Sequence, residues 1–223
     1  MIKLKVRIPF ASTVAATVVL SSLLFLPASR AQTEAVAATC KITPGTVTLG
    51  QRSRNVGFDV PSAQQWTLEA GAIGLYLYDT ATGEDAVAQF IPQRFANRDA
   101  GRIAVKVKRQ NGETVTSCSS SFRLRRAADL SIAVARQGKD RKISGKLRRV
   151  NFGSQEATWA NHGGQPVKVM YRAQSGRWIT AKTVKTAKNG TFSTKLRSGE
   201  RDWRVVYPGS VSTGAKTSRT VTR

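Results

Sequence analysis

In the stretch Arg201-Asp-Trp-Arg-Val-Val-Tyr-Pro-Gly209, Trp203, Val205 and Tyr207 fall at strict period two between polar or solvent-side neighbours. That alternation is the mark of a half-buried antiparallel strand. Pro208 and Gly209 end it, and the Ser/Thr-rich run from Ser210 to Thr220 leaves room for a turn and one last strand. Three more inward rows precede it: Ile143, Gly145 and Leu147; Val167, Val169 and Tyr171; Phe192, Thr194 and Leu196, the last reached through a hairpin signal at Asn189-Gly190. Nearer the start, strand signals run from Val47 to Leu49, Val56 to Val60 and Leu75 to Tyr78. Ile103, Val105 and Val107 then alternate with Ala104, Lys106 and Lys108, and Asn111-Gly112 predicts a tight hairpin into a strand from Thr114 to Leu124. On that strand Cys118, Phe122 and Leu124 share one parity, which turns Cys118 toward the core. With no helical periodicity of any length, the pattern predicts an all-β chain of short strands joined by Gly, Asn and Pro turns.

The alternation breaks once, at Phe122-Arg-Leu-Arg-Arg-Ala-Ala-Asp129, and reopens at Leu130, Ile132 and Val134. About 190 residues follow Ala31, and immunoglobulin-like sandwiches run at about 100 residues each. The expected architecture is therefore two tandem immunoglobulin-like β-sandwiches, residues 32–127 and 128–223, with an exposed joint. On that reading mild protease cuts first near Arg125 and Arg126, and the fragment from Asp129 onward folds alone.

Residues 1–31 read differently. Lys3, Lys5 and Arg7 precede an apolar run from Ile8 to Leu26 that Pro27 closes, and Ser29-Arg30-Ala31 places small residues where a signal peptidase reads them. This is an export signal. The run approaches the length of a spanning helix, but its internal Ser and Thr, Pro27 and the small-residue exit favour cleavage; Ala35-Val36-Ala37 is a second candidate, and cleavage after Ala31 is the preferred one. No twin arginine precedes it, which points to the general secretory route. In an exported chain the two cysteines, Cys40 and Cys118, pair most simply as one disulfide. Closing a loop of that span is worth roughly 4 kcal/mol in the chain-entropy model. Ala37 and Thr39 make a poor lipidation box ahead of Cys40.

The passage Phe95-Ala-Asn97-Arg-Asp99-Ala-Gly101, the late Cys118, the Phe122-Arg-Leu-Arg125 joint and a Leu-rich strand pair resemble secreted two-domain proteins of actinobacteria. The resemblance continues through Trp159, Gly164-Gln165-Pro-Val-Lys-Val, Asn189-Gly-Thr-Phe192 and Trp203-Arg-Val-Val-Tyr-Pro-Gly209, and covers roughly Phe90 to the end. It implies an immunoglobulin-like fold and an extracellular compartment, and it carries over no catalytic residue.

Charge then narrows the function. The chain holds 36 Lys and Arg against 13 Asp and Glu. After Ala31 the net charge is +19, and +15 of it lies from Asp129 onward, where twenty bases face five acids. An asymmetry of that size attracts polyanions. Opposite the inward rows lie Lys142, Lys146 and Arg148 on one strand, Lys168 and Arg172 on a second, Lys195 and Arg197 on a third, and Arg204 beside Trp203. In an immunoglobulin-like topology the first and third strands share one sheet and the other two the opposite sheet, so positive charge coats both faces. A reader of DNA sequence concentrates such groups on one element. A coat instead suits a flexible anionic cell-surface polymer, teichoic-acid-like or an acidic glycan, or else serves only solubility.

Catalysis finds little support. His162 sits in the loop Asn161-His-Gly-Gly164 and reads as a solvated polar residue. The serines of Ser117-Cys-Ser-Ser-Ser121 fall on a strand, with no nucleophile elbow. No metal set emerges: there is one histidine, and Asp129, Asp140, Glu156, Glu200 and Asp202 are scattered. No cofactor is expected. Trp66, Trp159, Trp178 and Trp203 could form a platform for stacking on a sugar, but core is the commoner place for such rings and Trp203 reads as core by parity. Trp159 and Trp178, the latter after the turn Ser175-Gly176-Arg177, are the candidates a carbohydrate-binding module would use. The expectation is a secreted, non-enzymatic protein with no membrane span once the signal is removed, held non-covalently at the cell wall. A structural or protein-interacting accessory and a carbohydrate-binding module are the alternatives.

Overall fold

The computed structural model describes residues 39–61, 63–79, 86–153, 156–173 and 176–223. The proposed export signal lies outside them.

Seven strands build the first sandwich: β1 (Thr46–Leu49), β2 (Arg54–Phe58), β3 (Gln65–Ala70), β4 (Leu75–Asp79), β5 (Ala86–Phe90), β6 (Gly101–Asn111) and β7 (Thr114–Arg126). The larger sheet runs β1-β7-β6-β3-β4, and β2 pairs with β5 in the second layer. β1 lies parallel to β7; the other pairs are antiparallel. This is an immunoglobulin-like order, with a first strand alongside the last and a long central hairpin. Asn111 pairs with Thr114, so the hairpin loop is Gly112-Glu113, with Gly112 at φ 60°. Period-two burial holds along it: Ile103, Val105 and Val107 on β6, and Cys118, Phe122 and Leu124 on β7, all face inward. Phe58, Phe90 and Phe122 meet there, the Phe58–Phe122 pair edge-on with centroids 5.3 Å apart. Cys40 and Cys118 form the expected disulfide, with Cα atoms 5.7 Å apart, inside the range a bridge requires.

The second sandwich follows without a linker. Its strands are β8 (Ala128–Leu130), β9 (Ala133–Gln137), β10 (Asp140–Asn151), β11 (Thr158–Asn161), β12 (Pro166–Arg172), β13 (Ile179–Lys185), β14 (Thr191–Arg197), β15 (Asp202–Tyr207), β16 (Lys216–Thr217) and β17 (Val221–Thr222). The long strand β10 carries β8 and β9 along one edge and β14 and β11 along the other; the facing sheet runs β13-β12-β15, completed by β16 and β17. Ile143, Leu147, Val167, Val169, Phe192, Trp203, Val205 and Tyr207 fill the space between. Gly145 belongs to the inward row for a steric reason: a β-carbon there meets the Phe192 ring at 2.6 Å and collides with the Ser131 carbonyl.

Two expectations are corrected. The Asn189-Gly190 turn does not close a hairpin: β13 before it pairs with β12, and β14 after it pairs with β10 in the opposite sheet. The dipeptide supplies a left-handed turn, Gly190 at φ 78°, and the packing of the two layers decides which strand each arm joins. The joint is also not an exposed linker. Arg126 is 5% exposed, its N–H donates to the Ser212 carbonyl, and its own carbonyl accepts from Gly214 N–H. Val150, Phe152 and Ala157, at the far end of β10 and just past it, are buried in the core of the first sandwich. The sequence shows two bases and two alanines at the joint; burial there comes from residues distant along the chain, Asn97 before it and Phe152 and Thr213 after it.

Candidate polyanion-binding surface

On the β9–β10–β14 sheet the outward row of β10 carries Lys142, Ser144 and Lys146, because Ile143, Gly145 and Leu147 take the inward one. Register sets Lys142 directly opposite Lys195, Ser144 opposite Ser193 and Asp140 opposite Arg197. Lys142, Lys195 and Arg197 are exposed and Lys146 half-buried. Like charges directly across a strand pair destabilise it, and among the described residues no carboxylate pairs with Lys142 or Lys195. Arg148, on the same strand, is already engaged. Its Nη2 and Nε donate to Asp129 Oδ2 at 2.6 and 3.0 Å, and its guanidinium lies 5.8 Å from the centre of the Trp159 ring.

On the opposite face β12 and β15 pair so that Met170 faces Arg204 and Arg172 faces Asp202. Lys168 is exposed. Arg172 Nε donates to Asp202 Oδ2 at 3.0 Å, and Asp202 also accepts from Thr222 Oγ1 at 2.6 Å; these two bonds hold its carboxyl below the usual range. Trp178 sits between two guanidiniums, Arg204 at 4.1 Å and Arg172 at 4.8 Å from its ring. Arg201 lies 4.4 Å over Tyr171. The outer face thus carries cation–π contacts at Trp178, while the Arg201–Tyr171 contact lies at the edge of the core.

Of the eight bases expected on the two faces, five (Lys142, Lys146, Arg148, Lys195 and Arg197) lie on the β10–β14 sheet and three (Lys168, Arg172 and Arg204) on the β12–β15 sheet. Lys142, Lys146, Lys168, Lys195 and Arg197 make no ion pair among the described residues, Arg148 and Arg172 are ion-paired, and Arg204 is half-buried in the tryptophan stack. Neither Trp159 nor Trp178 presents an open ring. Trp159 packs on the first core, and each has a guanidinium on a face. Arg102, directly opposite Arg123 on the first sandwich, is a further like-charge pair; the Asn111-Gly112 hairpin is the sequence signal that could have found it, since a tight loop fixes the register of β6 on β7.

His162 is not solvated. It is 5% exposed, its Nε2 lies 3.1 Å from the Tyr207 hydroxyl, and its pKa is pushed down to about 4 by burial and then by the nearby Arg149 and Arg126 guanidiniums. Burial likewise lowers Arg126 to about 10, with Arg149 adding to it. Among the described residues no three His, Cys, Asp or Glu side chains gather as a metal set, and no helix is long and apolar enough to cross a membrane.

No protein-family model matches the chain, and no curated protein matches it. Among solved structures it is similar to the chicken interferon gamma receptor alpha chain, at 7% identity and TM-score 0.40 over 84% of this chain and 96% of that one. It is also similar to a two fibronectin type-III domain segment of chicken tenascin, at 10% identity and TM-score 0.34 over 84% and 97%. The D00-D0 domain of Intimin matches at 11% identity and TM-score 0.30 over 82% and 98%.

Proposed function

We propose that the protein is a secreted, non-enzymatic binding protein whose second sandwich, residues 128–223, holds an anionic cell-surface polymer through its basic coat, while the first, residues 32–127, supports it through the shared core. The observation that carries this reading is the direct cross-strand opposition of Lys142 and Lys195. Such a pair costs folding energy in the free protein, and an anion bridging it removes that cost. The other unpaired bases lie on both sheets, so a flexible polyanion can wrap the module where a rigid duplex cannot.

Retention of the purified mature chain on isolated cell walls, or on a teichoic-acid-like phosphate polymer, tests it. Affinity falls steeply with salt if counterions are released. Replacing Lys142, Lys146 and Lys195 together by Gln, or Lys168 and Arg204 together, weakens retention in part; combining the sets abolishes it. The paired Arg148 and Arg172 contribute less than the free lysines. Retention that ignores ionic strength sinks the proposal.

A second reading is favoured by one observation. Tyr76, Tyr78 and Val115 stand 62 to 65% exposed on the outer face of the first sandwich, a surface suited to a protein partner. Capture of a partner that is lost in Tyr76→Ala with Tyr78→Ala, and kept in the lysine variants, would move the function there.

A further inference from the structure

The end of the second sandwich away from the joint holds a cleft of about 330 Å³ between the β9–β10 turn and the loop after β14. Four bases line it, Arg136, Lys139, Arg141 and Arg197, together with Ser198 and the glycines of the two turns, and no acidic residue does. Only Arg197 belongs to the outward rows described above.

Arg141 sets this cleft apart from a patch of surface charge. It is 6% exposed, because it follows the inward parity of Ile143 on β10. One Nη donates to the Asp140 carbonyl at 3.3 Å, but its Nε is buried without a partner, and so is the Oγ of Ser198 across the cleft. A buried guanidinium with an idle donor is costly unless something negative reaches it. Arg141 and Ser198 both line a cleft whose other lining side chains are cationic, and a lining of four bases with no acid specifies an oxyanion. The number of donors selects its type. A carboxylate has two oxygens to offer, whereas Arg141, Ser198, Arg136, Lys139 and Arg197 approach from both walls, as the three or four oxygens of a phosphate need.

Beside it opens a second cleft of about 280 Å³ that shares Arg197 and Ser198 and continues along Tyr171, Leu196 and Trp203. The indole Nε1 of Trp203 is also buried without a partner. A group esterified to the phosphate would lie along that aromatic wall.

We propose that this paired cleft is a discrete binding site for a phosphate ester, the phosphate held by Arg141, Arg136, Lys139, Arg197 and Ser198 and the esterified polyol or sugar lying toward Trp203. The site shares only Arg197 with the coat on the sheet faces and does not rest on it.

Titration of the full mature chain with inorganic phosphate and with glycerol phosphate, followed by amide spectra and calorimetry, tests the site. Saturable shifts are expected at Gly138, Lys139, Ser198 and Gly199, with at least tenfold weaker binding in Arg136→Gln with Arg197→Gln, whose side chains lie nearer solvent and leave the core intact. Arg141→Gln should abolish binding, and Lys142→Gln with Lys168→Gln should leave it unchanged. Tighter binding of glycerol phosphate identifies an ester as the ligand. Equal binding of the two identifies free phosphate and overturns the role of the aromatic wall. Absence of saturation with both probes, or saturation that survives Arg136→Gln with Arg197→Gln, overturns the site. Loss of polymer retention in the lysine variants with phosphate binding intact separates failure of the coat from failure of the cleft.

Discussion

The imidazole of His162 and the phenol of Tyr207 meet edge to face, with centroids 5.5 Å apart and Nε2 3.1 Å from the hydroxyl. Burial beside Arg149 and Arg126 keeps this histidine neutral down to a pKa of about 4, against about 6.5 in the unfolded chain. Above pH 6.5 both states hold it neutral and stability does not depend on it. As pH falls from 6.5 toward 4 the unfolded chain takes up a proton that the folded chain refuses, so stability declines, by up to about 3 kcal/mol over the whole interval. Urea denaturation at pH 7 and pH 5, where carboxylates are mostly ionised at both, should show the decline in the natural chain and a flatter profile in His162→Gln. Parallel profiles would remove His162 as the cause.

One side chain ties the two sandwiches together. Asn97 Oδ1 accepts from Arg126 Nη1 at 2.7 Å and from Phe152 N–H at 2.9 Å, while its Nδ2 donates to Asn151 Oδ1 at 2.6 Å. Asn97→Ala strands the buried Arg126 donor and the Phe152 amide, and should cost about 1 to 3 kcal/mol. Phe152→Ala, which empties a site packed against Phe95, should cost about 3 to 5 kcal/mol. Limited trypsin digestion should leave the Arg125-Arg126 joint for last, and a 128–223 fragment, with Val150 and Phe152 uncovered, should be less soluble than the whole. Early cleavage at the joint would show that the two cores are independent.

The two Asn-Gly turns differ in a way that substitution reveals. Gly112 has φ 60° with nothing near the site of a β-carbon, whereas at Gly190, φ 78°, that atom would collide with the Leu147 carbonyl and lie 3.2 Å from His162 N. Gly112→Ala should cost about 1 kcal/mol from backbone conformation alone. Gly190→Ala adds overpacking and should exceed about 3 kcal/mol. Equal melting temperatures for the two variants would show that the layers can separate at Leu147.

That contrast also shows what the sequence makes legible. Period-two alternation found the inward rows of β6, β7, β10, β12, β14 and β15, and the turn chemistry of both Asn-Gly pairs, because these are local consequences of backbone geometry. The parity of Cys118 foretold its burial and its bridge. Pairing across layers is not local, so Asn189-Gly190 read as a hairpin when it is a crossing. The burial of Arg126 and His162 was hidden for the same reason, since their cover comes from Asn97, Phe152, Tyr207 and Thr213. The cleft around Arg141 joins two turns some 60 residues apart in the chain, and only the sandwich brings them together.

Trp178 gives the sharpest choice between a charged coat and a sugar-stacking site. Its ring is held between Arg204 at 4.1 Å and Arg172 at 4.8 Å, and Arg172 is fixed in turn by Asp202. Each contact at this half-buried ring is worth about 0.5 to 1 kcal/mol, so Trp178→Ala should lower stability by about 1 to 2 kcal/mol and shift the intrinsic fluorescence. It removes no charge. If polymer is held by released counterions, the slope of log affinity against log salt depends on the number of bases engaged and stays unchanged in Trp178→Ala, while Lys142→Gln with Lys195→Gln lowers it by about two. A slope that is insensitive to the lysines, with attachment lost on Trp178→Ala, would assign the surface to neutral glycan. In that case the guanidiniums would act as ring supports, and the charge of the second sandwich would serve only its solubility.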